Sequence, residues 1–319
     1  MRADRPSLFV ALVVALVACG GDDGSTLDAS DGGGPDGGGP DAAAVDPLDG
    51  VGAVTLIDDG YQFVEGPQWR GATGDLVFSD IPAATIYRWV PGGGAPTVFR
   101  AASGNSNGLA LDPDGVLVAC EHGNRRLARG DGATPTTIVE RYQGARLNSP
   151  NDAIIRADGT IYFTDPPYGI SDPQRELGFM GTFRVAPDGA ITPVRRGELD
   201  ERPNGIALSP DARVLYVGDA AHALVRAYDV ARDGTTSGER TFTTTATTPD
   251  GLAVDRAGNV FVTTAAGVEV YGADARRWGV IAIPQQPANV GFGGADHRTL
   301  FVTARTALYQ VELRGAGLP

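Results

Sequence analysis

A short sequence unit occurs six times in the chain, and this repeat constrains the fold more than any other feature. Each unit starts with a polar residue, continues through an apolar stretch and a turn, and ends in a second apolar segment, as in NGLALDPDG followed by VLVAC. The units begin at Glu65, Asn107, Asn151, Asn204, Asp250 and Asn289. Their starts are 42, 44, 53, 46 and 39 residues apart. A self-similar period of this length indicates a repeat architecture.

The segments within each unit predict β-strands. They are short, rich in Val, Ile, Leu and Phe, and bounded by turn sequences such as DPDG and RADG. Several strands in about 45 residues are typical of a propeller blade, so we predict an all-β, six-bladed β-propeller over residues 51–319. Residues 51–57 are expected to supply the outer strand of the last blade and close the ring. An elongated β-solenoid is the alternative, although its repeats are usually shorter and more regular.

The first 50 residues differ in composition from the rest. Residues 1–18 carry Arg2 and Arg5 ahead of a ten-residue apolar run, which predicts a secretory signal because the run is too short to span a bilayer. The run ends in LVAC, which resembles the bacterial lipobox and makes Cys19 the expected lipidation site; a plain signal peptide with a chance cysteine is the alternative. Residues 19–50 are rich in Gly, Asp and Pro and predict a disordered tether. We therefore expect an exported bacterial lipoprotein, anchored at the outer membrane or facing the periplasm, whose lipid is its only membrane contact.

Composition excludes several classes of function. All 26 basic residues are Arg, and the absence of Lys excludes a Schiff-base lysine and a phosphate-loop lysine. Two Cys and three His exclude a disulfide framework and a Cys/His zinc site. The formal net charge is −13, and eight Asp in residues 20–50 supply much of it. Without basic clusters the chain is a poor candidate for nucleic-acid binding, and no required protein partner is evident.

The register of the repeat predicts a site. The first residue of every unit occupies an equivalent position on the inner strand of its blade, and all six carry side-chain oxygen. They should converge at one mouth of the central channel, where two carboxylates and several amide carbonyls suit a hard cation such as Ca²⁺. Alternatively, Asn-Gly and Asp-Gly could simply form the turn into each strand. That alternative is reasonable for Asn107 and Asn289, but Glu65 is a poor turn former.

Polar loops are expected to return to the same mouth. The loops between the second and third strands carry His122, Asp165 and Tyr168, a set that could bind a hydroxylated or esterified small molecule. For His122, a structural hydrogen bond within its loop is the alternative. The sequence GNSNG at residues 104–108 has the spelling of a hydrolase nucleophile elbow, but it leads into an inner strand and lacks the strand–turn–helix context, so we expect no serine nucleophile.

Six stretches, in order, carry a resemblance to one protein family. They are EGPQW, CEHGNRR, LNSPND, TDPPYG, ERPNG and PDGLAVD. Over about residues 65–319 the chain resembles the gluconolactonase, senescence-marker-protein and luciferin-regenerating-enzyme family, and its bacterial gluconolactonases most closely. The resemblance implies one divalent cation, usually calcium, with Glu65, Asn151, Asn204 and Asp250 as ligands. Such a ring would also accept Mg²⁺, Mn²⁺ or Zn²⁺.

The resemblance also implies an activity. The expected function is a metal-dependent lactone hydrolase, acting on a carboxylic ester and opening a sugar lactone to the aldonic acid. Asp250 would serve as base, and Asn107, His122, Asp165 and Tyr168 would contact the substrate, while Asn289 would face the substrate or be structural. Two alternatives stay open: another hydrolase on the same scaffold, acting on organophosphates or other lactones, and a non-catalytic binding propeller displayed at the cell surface.

Overall fold

The computed structural model describes residues 45–318. The predicted signal peptide, Cys19 and most of the predicted tether lie outside the described residues. The compact unit begins at Val45, earlier than the predicted boundary at residue 51. Residues 46–50 form a turn in which Leu48 packs against an apolar cluster and Asp49 accepts a hydrogen bond from Arg314 at 2.6 Å. Residues 46–50 therefore belong with the propeller, because Leu48 packs against the apolar cluster of blades 5 and 6.

The first half of the chain forms three four-stranded antiparallel sheets, preceded by the strand β1 (Thr55–Asp59). Blade 1 contains β2 (Val64–Arg70), β3 (Asp75–Asp80), β4 (Thr85–Trp89) and β5 (Thr97–Ala101). Blade 2 contains β6 (Ser106–Leu111), β7 (Leu117–Glu121), β8 (Arg126–Arg129) and β9 (Thr136–Val139). A small hairpin follows, formed by β10 (Arg141–Tyr142) and β11 (Ala145–Arg146). Blade 3 contains β12 (Ala153–Ile155), β13 (Ile161–Asp165), β14 (Met180–Val185) and β15 (Ile191–Gly197), with a short 3₁₀ helix (Asp172–Gln174) between β13 and β14.

The second half forms the other three sheets and closes the ring. Blade 4 contains β16 (Pro203–Leu208), β17 (Val214–Asp219), β18 (Leu224–Val230) and β19 (Thr236–Thr244). Blade 5 contains β20 (Leu252–Val254), β21 (Val260–Thr264), β22 (Gly267–Tyr271) and β23 (Arg277–Ile281). Blade 6 contains β24 (Asn289–Gly293), β25 (Thr299–Ala304), β26 (Ala307–Glu312) and, as its outer strand, β1. The predicted six-bladed propeller is confirmed.

The closing strand differs slightly from its prediction. The ladder between β1 and β26 runs from the pair Thr55 and Gln310 to the pair Asp59 and Ala307, whereas the sequence placed the strand at residues 51–57. Contact with β26 begins earlier, where Gly52 N–H donates to the Glu312 carbonyl at 2.8 Å. The N-terminal and C-terminal parts of the propeller are therefore hydrogen-bonded within one sheet.

The core consists of six apolar clusters, and each lies between two neighbouring blades. The cluster of Val64, Phe78 and Phe301, for example, joins blades 1 and 6. Five of the six second strands are buried along their whole length, as in DLVFSD of β3, because both faces of each sheet pack against neighbours; in β17 only Val214 is partly exposed. A single blade could not bury both of its faces, so closure of the ring completes the core.

The ring residues and the turns between second and third strands lie at the same end of the channel. Val64 pairs with Asp80 and Asn289 pairs with Thr303, so the starts of inner strands lie beside the ends of second strands. The turns between second and third strands therefore share this end with the ring residues. Within residues 45–318, no helix has the length and apolar character needed to cross a bilayer.

Candidate active site

The six ring residues predicted from the register lie at the first or second position of the inner strands, or two residues before them. Backbone hydrogen bonds join neighbouring inner strands directly at this level. Gly108 N–H donates to the Asn151 carbonyl and Gly205 N–H donates to the Asp250 carbonyl, both at 2.8 Å. The structure thus brings the predicted residues together around the channel mouth.

Three neighbouring asparagines, Asn107, Asn151 and Asn204, form what we call the amide arc. Asn107 Nδ2 donates to Asn151 Oδ1 and Asn151 Nδ2 donates to Asn204 Oδ1, both at 2.6 Å. Asn204 Nδ2 lies 3.5 Å from the Tyr168 hydroxyl, which accepts. All three asparagines are buried. This half of the ring is neutral and held together by its own hydrogen bonds.

The opposite half carries Glu65, Asn289 and Asp250 on blades 1, 6 and 5. Asp152, which follows Asn151 in blade 3, lies within 3.5 Å of Asn289, and we call Glu65, Asp250 and Asp152 with Asn289 the acidic arc. Glu65 is 3 % exposed; burial, followed by the negative charges of Asp250 and Asp152, raises the pKa of its carboxyl well above the usual value. Burial also raises the pKa of Asp250 to about 7. Asn289 donates to the carboxylates of Glu65 and Asp152. Carboxylates gathered in a desolvated site favour protonation or the approach of a cation.

Sequence reasoning missed Asp152. Burial raises the pKa of this carboxyl to about 7, and its Oδ2 lies 3.5 Å from Asn289 Nδ2. A signal was present in the repeat, because four of the other ring residues are followed by Gly whereas Asn151 is followed by Asp. The predicted ring uses only the first position of each unit, so Asp152, at the second position, is absent from it.

The glycine at that second position permits close approach rather than a turn. A Cβ at Gly205 would lie 2.2 Å from the Asp250 carbonyl oxygen, and one at Gly66 would lie 2.5 Å from the Asn107 carbonyl oxygen. Only the second of these glycines has a positive φ, +54°. The inner strands can therefore touch one another around the axis because these positions lack a side chain.

His122 and Tyr168 lie on the neutral side of the mouth. His122 is 6 % exposed, and burial lowers the pKa of its imidazole to about 4, so the ring is neutral at pH 7. Its Nε2 lies 3.3 Å from Asn107 Nδ2 and accepts, which places the ring proton on Nδ1. Tyr168 is 47 % exposed, and burial of the rest of its side chain raises the pKa of its hydroxyl above the usual value. Both side chains can offer hydrogen bonds to a polar ligand.

The structure gives Asp165 a different role from the predicted substrate contact. Asp165 is fully buried, and its two carboxylate oxygens accept hydrogen bonds from the backbone N–H groups of Asn148 and Ser149, each at 2.7 Å. It therefore holds the loop that leads into Asn151, and it presents no oxygen to the mouth. The serine of the GNSNG sequence, Ser106, is also buried, with its Oγ 2.9 Å from Ser79 Oγ.

The residues at the mouth fit a divalent cation of the hard type. Glu65, Asp250, Asn151 and Asn204 offer carboxylate and amide oxygens without a soft ligand. A further amide oxygen, Asn107 Oδ1, is buried without a hydrogen-bond partner. Nowhere in residues 45–318 do three or more His, Cys, Asp or Glu side chains form a metal-binding group, so a cation here would depend on the amides as well as the acids.

Comparison with known proteins places this geometry in context. Residues 63–306 match the model of the SMP-30/Gluconolactonase/LRE-like region. A gluconolactonase of Zymomonas mobilis is 32% identical over 301 residues, which cover 85% of this chain and 84% of that protein.

Solved structures agree in fold. The structure of a Xanthomonas campestris gluconolactonase matches with a TM-score of 0.76 and 35% identity, covering 82% of this chain and 89% of that one. The calcium-binding protein regucalcin from Agrobacterium tumefaciens matches with a TM-score of 0.69 and 21% identity, covering 84% and 97% of the two chains, and this likeness shows the fold alone.

Proposed function

Because this chain belongs to the SMP-30/gluconolactonase/LRE-like family, we propose that it is a divalent-metal-dependent lactonase that opens a sugar lactone to the aldonic acid. The family and its named relatives confirm the predicted class, a gluconolactonase-like hydrolase of cyclic esters. The sugar lactone and the metal are our inference. The observation that carries it is the meeting of a buried acidic arc with an arc of amides at one channel mouth.

The cation is proposed to be Ca²⁺, held by Glu65, Asn151, Asn204 and Asp250. When bound, a divalent cation supplies Lewis-acid polarisation of the lactone carbonyl. The amide oxygens and carboxylates are the donors that Ca²⁺ prefers. Mg²⁺, Mn²⁺ and Zn²⁺ are the competing ions, and activity with each distinguishes them.

Asp250 is proposed to move the proton. Its ionised carboxylate takes a proton from the attacking water while the water oxygen bonds to the carbonyl carbon. The ring C–O bond then breaks, and the proton passes to the departing ring oxygen, which becomes the product hydroxyl. Asp250 is partly exposed at the mouth, so solvent and substrate can reach it.

The neutral side of the mouth is proposed to orient the substrate. His122 is uncharged and donates through Nδ1, and Asn107 Oδ1 is an unused acceptor. Tyr168 offers a protonated hydroxyl at the exposed rim. Sugar hydroxyls both donate and accept, so this combination suits a hydroxylated ring better than an apolar ester.

In the cell, the enzyme is proposed to be an exported lipoprotein joined to the membrane only through lipidated Cys19. Its partner is then the small-molecule lactone, with no nucleic acid involved. Replacement Cys19→Ala should abolish palmitate labelling and move the protein from the membrane fraction to the soluble fraction. Unchanged membrane association of the variant would contradict the anchor.

The activity is tested with purified mature protein, a panel of sugar lactones and defined divalent metals. We expect D-glucono-1,5-lactone to be hydrolysed with calcium, and Asp250→Asn to lower kcat by about 10²–10⁴-fold through loss of the base. The control is Asp274→Asn, which removes an exposed carboxylate of the same blade.

Three outcomes would contradict the proposal. Near-normal turnover by Asp250→Asn would remove the base role. Hydrolysis of phosphotriesters without any lactone would favour the other hydrolase class. Sugar binding without turnover under any metal would favour a binding propeller.

A further inference from the structure

The turn between β25 and β26 brings a guanidinium to the channel mouth. A small pocket of about 100 Å³ lies there beside the acidic arc. It is lined by Phe63, Asp250, Gln286, Pro287, Ala288 and Arg305. The side chains of Arg305 and Asp250 both line this pocket, so opposite charges face the same small space. A cation, an amide and a carboxylate thus share one opening.

The turn itself does not require an arginine. Arg305 has a φ of 51°, in the left-handed region. In the longer turns between the second and third strands of blades 1 and 4, Ala84 and Ala223 have φ of 48° and 52°. Because alanine adopts the same backbone conformation elsewhere in this molecule, the long charged side chain at residue 305 serves something other than the turn.

An arginine in the turn between the second and third strands of blade 2 has a structural role. Arg125, with a φ of 58°, is buried, and its Nε donates to the carbonyls of Leu147 and Asn148 at 2.7 and 3.0 Å. Arg305 is instead exposed. It has no carboxylate within 4.0 Å among residues 45–318.

Two contacts fix the Arg305 guanidinium without using all of its donors. Nη2 donates to Gln286 Oε1 at 2.6 Å, and the guanidinium carbon lies 5.7 Å from the centre of the Phe63 ring. The next residue of the turn, Thr306, is held through its backbone N–H by Gln285 Oε1 at 3.1 Å. Nε and Nη1 therefore remain available for a ligand.

We propose that Arg305, oriented by Gln286, is a specificity-determining residue that binds the carboxylate of the aldonate product. This inference rests on the proposed function, since ring opening converts a neutral ester into a carboxylic acid that releases its proton to solvent and leaves a carboxylate beside Asp250. A guanidinium matches a carboxylate through paired, charge-assisted hydrogen bonds. It also offsets the repulsion that Asp250 exerts on the new anion.

The test measures binding of D-gluconate and D-glucitol to the mature protein in calcium by calorimetry. The two ligands share a polyol chain, but only gluconate has the carboxylate. Wild type is expected to prefer gluconate, and Arg305→Ala to weaken gluconate binding by about 10–100-fold while leaving glucitol unchanged. Arg305→Lys should keep part of the preference. Arg298→Ala, at the other end of β25, is the matched control.

Thermal unfolding checks that the turn survives, and Gln286→Ala provides a second variant that frees the guanidinium without removing it. An unchanged gluconate-to-glucitol ratio in both Arg305→Ala and Gln286→Ala would overturn the inference, as would equal binding of the two ligands by wild type. Arg305-dependent gluconate binding without hydrolysis of any lactone would uphold the carboxylate site and refute the lactonase. Lactone hydrolysis together with an unchanged gluconate-to-glucitol binding ratio in Arg305→Ala would uphold the lactonase and refute the carboxylate site.

Discussion

The two halves of the ring hold polar side chains at equivalent positions, but they differ in how those side chains are stabilised. In the amide arc, Asn107 donates to Asn151 and Asn151 donates to Asn204, which leaves Asn107 Oδ1 as the one amide oxygen of the arc without a hydrogen-bond partner among residues 45–318. In the acidic arc, Glu65 and Asp250 carry carboxyls whose pKa is raised by burial. The amides of the amide arc are hydrogen-bonded to one another, whereas the acidic arc holds carboxyls where burial disfavours their ionised form.

This difference indicates a structural role for the amide arc and a chemical role for the acidic arc. The amide arc can fix the spacing of blades 2, 3 and 4 before anything binds, because its neighbouring amides are hydrogen-bonded to one another. The acidic arc brings like charges together in a desolvated position, which is unfavourable unless a positive charge enters. We infer that the neutral half is a template and that the acidic half supplies affinity for the cation.

Removing one carboxylate should have the largest effect. Glu65→Gln is expected to lower kcat/KM more than about 100-fold, since even residues that only support metal ligands are worth about 10–100-fold. In chelator at pH 8 the same variant should have a larger free energy of unfolding than wild type, because a neutral amide replaces a desolvated carboxylate. Activity assays and denaturant unfolding measure the two effects.

The matched variant comes from the other arc. Asn151→Ala removes the partner of both Asn107 and Asn204, so it should destabilise the protein with or without calcium, by about 1–3 kcal/mol. The comparison of arcs fails if the two variants shift the cation-free stability in the same direction.

The seam between the arcs is the next test. Gly205 N–H bonds to the Asp250 carbonyl, and an added Cβ would lie 2.2 Å from that oxygen. Gly205→Ala should therefore destabilise the protein by about 1–3 kcal/mol and lower activity by displacing Asp250. Gly132→Ala, where a Cβ meets nothing within 4 Å, is the control. Wild-type stability of Gly205→Ala would show that the blades do not need this close approach.

The effect with the narrowest range, confined to pH values below 7, concerns His122, on the neutral side. Burial lowers the pKa of its imidazole from 6.5 to about 4, so between these values the folded state binds fewer protons than the unfolded chain. The His122 contribution should then fall by about 2 kcal/mol as the pH drops from 7 to 5. The carboxyls of Asp152 and Asp250, whose pKa is raised to about 7, act in the opposite direction over this range, so the comparison with a His122 variant isolates the histidine. His122→Gln should remove that part of the slope in urea unfolding at several pH values. If the free energy of unfolding of the variant depends on pH in the same way as in wild type, His122 does not contribute to the pH dependence.

Much of the architecture was predictable because the repeat encodes it locally. The starts of the units, the turn sequences and the short apolar segments predict six blades, and the register alone places Glu65 and the other ring residues at one mouth. The closing strand was predictable within a few residues, since a ring needs one sheet that joins both ends of the chain.

The remainder depends on contacts between distant segments. Asp165 has the composition of a mouth residue, yet the loop at Asn148 and Ser149 folds over it and uses both oxygens. Asp152 is hidden at a position where the other units mostly have Gly, and Arg305 lies in a turn of generic sequence. In each case burial and neighbours, which a single sequence does not display, decide what the side chain does.

A calcium titration of chelator-treated protein, followed by its free energy of unfolding, tests the central claim most directly. If the acidic arc requires a cation, wild type should gain about 2.7 kcal/mol when free calcium reaches 100 times its Kd, and Glu65→Gln should gain far less. Lactone hydrolysis should return over the same calcium range. Wild-type protein that neither gains stability with calcium nor loses activity in chelator would contradict the account.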